Sequence, residues 1–178
     1  GKGIQLSDTL SDIEKYVKAN KRDCYIIQKY IHNPLLITNG KSDFKRKFDI
    51  RWFALYTSFN NVQRAYFFQD GYLRTASKEF SETNIHNKFI HLTNDAIQKK
   101  CEEYGKYESS NKLSLLDFQK YLDINYKDKH IDVYRDLLPQ IKAIITDSLR
   151  AVYRKIDPYQ RASTFEILGY DFMIDEDF

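Results

Sequence analysis

Charged side chains alternate with apolar ones in two short runs of this chain, at 47–55 and 169–175. Alternate residues of an extended chain share a face, so Lys47, Asp49 and Arg51 are expected to point the same way. Two cations that flank a carboxylate suit an anionic ligand held beside a metal ion. The alternative is a ladder of charges on the solvated face of a half-exposed strand.

The second run places Asp171, Met173 and Asp175 in one row. A carboxylate next to a thioether suits a metal-bound triphosphate beside an apolar base. The two runs together therefore predict two walls of a nucleotide site.

Composition predicts a folded chain with a core of ordinary size. The chain has 178 residues, of which 42% are hydrophobic and 15% aromatic, and this favours about one domain. The net charge is only +3, but basic residues crowd the stretch 41–51. An acidic partner is expected there, and nucleic acid is not, because the aromatic residues are not interleaved with the basic ones. The basic residues are Lys41, Lys45, Arg46, Lys47 and Arg51, against Asp43 and Asp49.

Cys24, Cys101 and the four dispersed histidines lack the spacing of metal ligands, which predicts a reducing cytosol and no structural zinc. No apolar run approaches the roughly 20 residues of a membrane span, so no membrane partner is expected. The opening Gly1-Lys2-Gly3 reads as the middle of a loop, and we expect a fragment of a longer protein.

Hydrophobic spacing predicts an α+β fold with a mostly antiparallel sheet. A helix is expected at about 9–19, starting with a capping box at Ser11–Glu14 and packing on a sheet. Strands follow at 24–31, 48–58 and 62–68, with a hairpin turn at Asn60-Asn61 and a further turn at 69–71 leading into 72–74. Helices are expected near 95–103, 114–123 and 132–155, as an insertion (about 95–157) before a last strand at 164–174.

Common catalytic motifs are missing from the sequence. It has no Walker-type glycine loop, no dinucleotide fingerprint and no His-Glu-x-x-His helix. No serine or cysteine stands out as a nucleophile.

Five blocks occur in the order and at the intervals found in the tubulin tyrosine ligase-like family, which this chain resembles over nearly its whole length. They are residues 27–36, 47–51, 70–77, 91–99 and 165–173. The resemblance implies an ATP-grasp-like fold that is incomplete at both ends. It implies an ATP-dependent ligase that converts a carboxylate to an acylphosphate, from which an amine displaces phosphate.

The resemblance also assigns the nucleotide site, with ATP and Mg²⁺ as cofactors. Gln28, Lys29, Tyr30 and Ile31 would form the hinge whose backbone meets the adenine edge. Lys47 would reach the phosphates and Asp49 would lie near the phosphate or ribose end. Asp171 would be a Mg²⁺ ligand and Met173 would pack on the adenine.

The same resemblance implies that Arg51 and Arg74 bind an acidic tubulin tail. Thr93 and Asn94 would lie near its reacting end. Arg51, Arg74 and Asn94 are the candidate catalytic residues, since arginine binds a carboxylate bidentately. His91 is either functional or a histidine satisfied by backbone. Tyr104 and Tyr107 are expected to be packing residues.

The expected activity is addition of a free amino acid, tyrosine, to the C-terminus of α-tubulin, because 74–77 and 104–108 resemble the tyrosine ligase. A tubulin glutamyl or glycyl ligase is the alternative, and a non-catalytic tubulin-binding relative is another. In the family a Glu-x-Asn strand after the equivalent of Asp171 supplies further metal ligands, and these 178 residues stop before it could appear, so they are expected to lack full activity. The expected location is the cytoplasm, with the cytoskeleton or cilium.

Overall fold

A computed structural model describes residues 3–20, 24–38, 44–159 and 161–178. They form two compact units. The first comprises the described residues of Gly1–Phe48, Thr75–Asn111 and Ile174–Asp177, and the second comprises those of Asp49–Arg74, Lys112–Met173 and Phe178. The expected α+β class is confirmed.

The described residues form five α-helices and five strands, joined by shorter helical turns. The helices are α1 (Leu10–Ala19), α2 (Lys88–His91), α3 (Asp95–Gln98), α4 (Leu115–Asn125) and α5 (Leu138–Ile156), the last preceded by a π-helical turn at Val133–Leu137. The strands are β1 (Leu36–Ile37), β2 (Arg46–Phe59), β3 (Val62–Thr75), β4 (Lys112–Ser114) and β5 (Ser163–Phe172).

Strand pairing is antiparallel wherever partners are defined. In the first unit β1 pairs with the start of β2, with Leu36 opposite Lys47. In the second unit β5 pairs with the rest of β2, and β4 pairs with β3. The connection of β2 to β3 at Asn60-Asn61 has positive φ at both residues (47° and 64°), as a two-residue hairpin turn requires. The predicted hairpin is therefore confirmed.

The core of the second unit includes one face of strand β2 and one face of helix α5. Alternate residues of β2 are buried, among them Trp52 and Tyr56, because successive strand side chains point to opposite faces. In α5 the buried residues Ile141, Ile145 and Leu149 recur every four positions and form one apolar stripe. The hydroxyl groups of Ser148 and Tyr170 lie 2.8 Å apart and join α5 to β5.

Two sequence expectations for the N-terminal part differ from the structure. Helix α1 is capped by Thr9, whose Oγ1 accepts a hydrogen bond from the Asp12 amide, and not by Ser11. No residue of α1 is fully buried, although Ile13, Tyr16 and Val17 are half-buried, and the expected packing of this helix on a sheet stays a prediction. The β-rich run 24–31 forms no strand, because it pairs with no neighbour among the described residues and leaves Ile26 90% exposed.

The predicted turn at 69–71 is also wrong, and so is the length of the helix that begins at Asp95. Strand β3 continues through Gly71 to Thr75, and the Asp70 carboxylate accepts a hydrogen bond from the Gly71 amide (2.8 Å). Gly71 serves close packing instead, because a Cβ there would lie 2.5 Å from Cε3 of Trp52 and 2.8 Å from the Arg51 carbonyl. Helix α3 ends at Gln98, and the chain then turns through Gly105, which has φ of +77°.

Replacing Gly71 by alanine is expected to lower the free energy of unfolding by about 1–3 kcal/mol, because the indole and the backbone must both move. Gly169→Ala is the matched control on β5. Its Cβ would meet the flexible end of Arg51 at 3.1 Å, so a smaller loss is expected. Urea unfolding of the two variants checks this, and equal losses would contradict the packing role of Gly71.

Candidate functional site

Three strands of the second unit bring together two carboxylates and two guanidinium groups. Arg74 on β3 forms a bidentate pair with Asp49 on β2, with Nε to Oδ1 at 2.9 Å and a second bond from Nη2 to Oδ2. The same Nη2 lies 2.8 Å from Oδ1 of Asp171 on β5. Arg74 thus bridges both carboxylates, and we call Asp49, Arg51, Arg74 and Asp171 the charged cluster.

Strand register completes the charged cluster. Arg51 lies directly opposite Asp171 in the antiparallel pair of β2 and β5, and its Nε donates to Oδ1 of Asp171 at 2.6 Å. The Arg74 and Asp49 side chains are 7% and 9% exposed, whereas those of Arg51 and Asp171 are 24% and 44% exposed. The charged cluster therefore has a buried ion pair at one side and a solvent-accessible pair at the other.

The charges of this cluster stabilise one another. Burial alone would lower the pKa of Arg74, but the hydrogen bonds and negative charge of Asp49, followed by those of Asp171, outweigh it and raise that pKa above its ordinary value. Arg74 is therefore permanently charged. Arg51 uses only Nε in the cluster, and both of its Nη groups remain without a hydrogen bond to the described part of the chain. Since its side chain is 24% exposed, against 7% for Arg74, Arg51 has the more accessible donors to offer an anion.

The residues present fit a magnesium ion that is held mainly by phosphate groups and water. Both guanidinium contacts of Asp171 go to Oδ1, which leaves Oδ2 of this half-exposed carboxylate able to contact a cation. Among the described residues no group of three or more His, Cys, Asp or Glu side chains is placed to form a closed metal site. One accessible carboxylate oxygen suits Mg²⁺, which is commonly bound by one or two carboxylates together with phosphate and water.

The first unit holds a second polar arrangement around Lys47. Lys47 is 5% exposed, and its Nζ lies 3.2 Å from the Tyr30 hydroxyl and 4.3 Å from the centre of the Tyr30 ring. The Tyr30 hydroxyl lies 2.8 Å from Nδ1 of His91, and Nε2 of His91 lies 2.9 Å from the Asn84 carbonyl. The His91 side chain therefore contacts both a functional candidate and the backbone, so the two sequence interpretations of this residue are not exclusive.

Arg46, which precedes Lys47, is fully buried in the first unit. Its guanidinium donates to both carboxylate oxygens of Glu108, with one bond of 2.9 Å, and also to the Ala76 carbonyl. The Tyr107 ring lies 4.4 Å from its Cζ, which agrees with a packing role for Tyr107.

In residues 44–51, the described part of the basic stretch, Arg46 and Arg51 are paired with carboxylates, and the expectation of an acidic partner stays a prediction. The Arg46 charge is neutralised internally, and Arg51 is paired with Asp171. Lys45 is exposed, whereas Lys41 and Asp43 lie outside the described residues.

The remaining predicted site residues occupy both units. Gln28, Lys29 and Ile31 are exposed in the first unit, on an extended segment without strand pairing. Thr93 is buried in the first unit, and Asn94 precedes α3 there without a side-chain capping bond. Met173 is half-buried directly after β5 in the second unit.

Sequence reasoning missed three polar residues that organise the first unit. The Gln98 amide is fully buried and bonds the Ser77 amide and the Phe89 and Leu92 carbonyls. Asn111 donates to the Thr75 carbonyl at 2.9 Å, and Glu108 accepts from Arg46. No local spacing marks such residues, because their partners lie between 6 and 62 positions away.

The cysteines and the helices also show whether the described residues contain a disulfide or a membrane-spanning segment. Cys24 and Cys101 are both free thiols. Within the described ranges no helix has the length and apolar character needed to cross a membrane.

Comparison with known proteins gives the same family along the whole chain. The profile described as "Tubulin-tyrosine ligase family" matches residues 1–178. Tubulin glycylase 3B of Tetrahymena thermophila is 33% identical over 179 residues, covering 100% of this chain and 14% of the relative. Tubulin glycylase 3E of the same organism is 35% identical over 179 residues, with 99% and 12% covered. Tubulin glycylase 3A of Drosophila melanogaster is 35% identical over 184 residues, with 100% and 17% covered.

The chain thus spans between 12% and 17% of the length of these curated relatives. Since the profile match extends from the first residue to the last, the chain belongs to the tubulin-tyrosine ligase family.

Proposed function

We propose that this chain carries part of the active site of an ATP-dependent ligase, which joins a carboxylate of the acidic tubulin tail to the amino group of a free amino acid. The charged cluster is the observation that carries the proposal. Family membership and the names of the glycylase relatives support it. Such a protein acts in the cytoplasm, at the cytoskeleton or cilium.

Glycine is the amino acid that we propose. The sequence motifs favoured tyrosine, but the similar relatives are called tubulin glycylases. Tyrosine and glutamate remain the competing amino acids, and a tubulin-binding protein without ligase activity is the competing class.

The proposed reaction balances in two steps. A tail carboxylate oxygen bonds to the γ-phosphorus of ATP as the bond to ADP breaks. The amine nitrogen then bonds to the carboxyl carbon, loses a proton, and phosphate leaves. In the second step negative charge develops on the oxygens of the attacked carboxyl carbon, so a nearby guanidinium with unused donors stabilises this transition state. Arg51 is proposed for this role, and Arg74 for holding Asp49 and Asp171 in place.

Roles toward the nucleotide are proposed for each residue separately. Lys47 contacts the phosphates, Asp49 lies near the phosphate or ribose end, and Asp171 holds Mg²⁺. Bound Mg²⁺ neutralises charge on the phosphates. The backbone of residues 28–31 meets the adenine edge, with Met173 against the adenine. Thr93 and Asn94 are proposed for the reacting end of the tubulin tail.

Incorporation of labelled amino acids into tubulin tests the proposal. The full-length protein is supplied with Mg²⁺, ATP, tubulin and glycine, tyrosine or glutamate in separate reactions. Glycine is expected to enter tubulin, and Asp171→Asn is expected to lower its rate about 100-fold by removing a charge from the site. Glu166→Gln is the control, because Glu166 is exposed on the same strand.

Each other outcome contradicts part of the proposal. Incorporation of tyrosine or glutamate instead of glycine would overturn the choice of amino acid. Tubulin binding without incorporation of any of the three would support the binding protein instead of the ligase.

A further inference from the structure

The hydrogen bonds around His91 have only one possible direction when its ring is neutral. The Asn84 carbonyl can only accept, so Nε2 of His91 carries the proton that it donates at 2.9 Å. Nδ1 of a neutral ring is then an acceptor, and the Tyr30 hydroxyl must donate to it at 2.8 Å. The Tyr30 oxygen is left to accept from Nζ of Lys47 at 3.2 Å.

The environment favours this protonation state. His91 is 4% exposed, and burial lowers its pKa below the ordinary 6.5, with the Lys47 charge lowering it further against the opposing bond to Asn84. Burial also raises the pKa of Tyr30 to about 12, with a contribution from Glu82. The imidazole is therefore neutral and the phenol protonated at neutral pH, as the directed chain of hydrogen bonds requires.

We propose that Tyr30 and His91 are positioning residues for Lys47. Neutral His91 holds the Tyr30 hydroxyl as a donor, and the phenol oxygen then fixes the Lys47 ammonium on β2 for contact with a polyphosphate. The proposal rests on the role given to Lys47 in the proposed function. It adds the side chains of Tyr30 and His91 to the proposed ATP site as residues that act through Lys47 and touch no reacting atom.

Protonation of His91 reverses the central hydrogen bond. With a proton on each ring nitrogen, His91 donates to Tyr30, so the ammonium and the imidazolium both face one phenol oxygen. Their repulsion weakens the contact between Tyr30 and Lys47. Among the described groups beside Tyr30 and His91, Glu82 acts on Tyr30 and is paired with His32, and Phe80 presents only its ring to His91.

The first test needs no nucleotide. In the full-length protein labelled with ¹⁵N-histidine, the His91 resonances, identified by their loss in His91→Asn, should show the Nε2–H tautomer. Tyr30→Phe removes the donor to Nδ1, and Lys47→Met removes a nearby positive charge. Each should raise the pKa of His91 toward 6.5. An unchanged pKa in both variants would overturn the hydrogen-bonded chain.

The second test measures ATP binding by calorimetry between pH 5.5 and 8.5. Tyr30→Phe is expected to weaken ATP binding about tenfold at pH 7.5, the effect of one hydrogen bond to a charged group. The apparent KM for ATP should rise while kcat at saturating ATP stays within about twofold. A merely structural role would change the amount of active protein, and hence kcat, without changing KM.

The pH dependence of ATP binding in a conservative variant, His91→Asn, is a further test. His91→Asn keeps an acceptor near the Nδ1 position but cannot titrate in this range. Its ATP affinity should therefore lack the extra loss that the unmodified protein shows below pH 6.5. Protonation of ATP itself is common to both curves. His86→Gln is the matched control, since His86 is exposed in the same unit, and it should keep the original pH profile.

The outcomes separate this inference from the proposed function. Unchanged ATP affinity in Lys47→Met would overturn the role of Lys47 in the proposed function, and the positioning role with it. Weaker binding in Lys47→Met together with unchanged binding in Tyr30→Phe would overturn the positioning role alone.

Discussion

Replacement of Arg74 by alanine is expected to lower the free energy of unfolding by about 3–5 kcal/mol, the cost of breaking a buried ion pair on one side. The Asp49 carboxylate is 9% exposed and would lose both of its bonds to this guanidinium. Asp171 would keep its contact with Arg51 but lose the one with Arg74. The second unit is therefore expected to become much less stable.

Urea unfolding of Arg74→Ala and Arg64→Ala measures this effect. Arg64 is the matched control, because it lies on the same strand and is exposed, so its removal should change the free energy of unfolding by less than about 0.5 kcal/mol. The double variant Arg74→Met with Asp49→Leu removes both buried charges and should recover much of the loss. Equal stability of the two single variants would contradict the buried pair. The double variant should nevertheless remain inactive as a ligase.

Replacement of Glu108 by alanine is expected to have a comparable effect on the first unit. Arg46 is fully buried, and its Nε already lacks a partner among the described residues, so loss of Glu108 leaves the guanidinium with the Ala76 carbonyl and the Tyr107 ring. The expected loss is about 3–5 kcal/mol, because an uncompensated buried charge remains. Thr75 also loses its 2.8 Å bond to Glu108.

Thermal unfolding and limited proteolysis check this second expectation. The unfolding midpoint of Glu108→Ala should fall by about 10 °C. Cleavage should become faster between residues 99 and 111, a stretch of turns that Glu108 joins to the start of β2. Glu102→Ala is the control, since Glu102 is exposed in the same segment. A midpoint equal to that of the control would show that the ion pair contributes little.

Sequence periodicity was sufficient to predict several regular elements of the second unit. The Asn60-Asn61 hairpin, helices α4 and α5 and strand β5 carry local signals, namely a two-residue turn and apolar spacing. The turn at 69–71 was mispredicted because Asp70-Gly71 is also a turn signal, and only the Trp52 ring explains why glycine is required within a strand. A local pattern cannot distinguish the two uses of glycine.

Prediction of the site had the same limit: single residues were identified from the sequence, whereas their contacts with distant parts of the chain were not. Asp49, Arg51, Arg74 and Asp171 were all identified as candidates, and the family resemblance assigned the carboxylates to the nucleotide and the arginines to the tubulin tail, which stays a prediction. In the structure they form one network, because antiparallel pairing joins residues up to 120 positions apart. Glu108 was not identified at all, since its partner lies 62 positions away and nothing in the local sequence distinguishes it from an exposed glutamate.

The alignment of β2 with β5 has a consequence for folding accuracy. Ten consecutive residue pairs run from Ile50 opposite Phe172 to Phe59 opposite Ser163, and this alignment alone puts Arg51 opposite Asp171. A slip of one residue would turn Asp171 to the other face of the sheet, so that Arg51 would lose its counter-charge and Arg74 would keep only Asp49. The ion pairs of Asp171 thus favour the observed alignment of the two strands over one that is shifted by a residue.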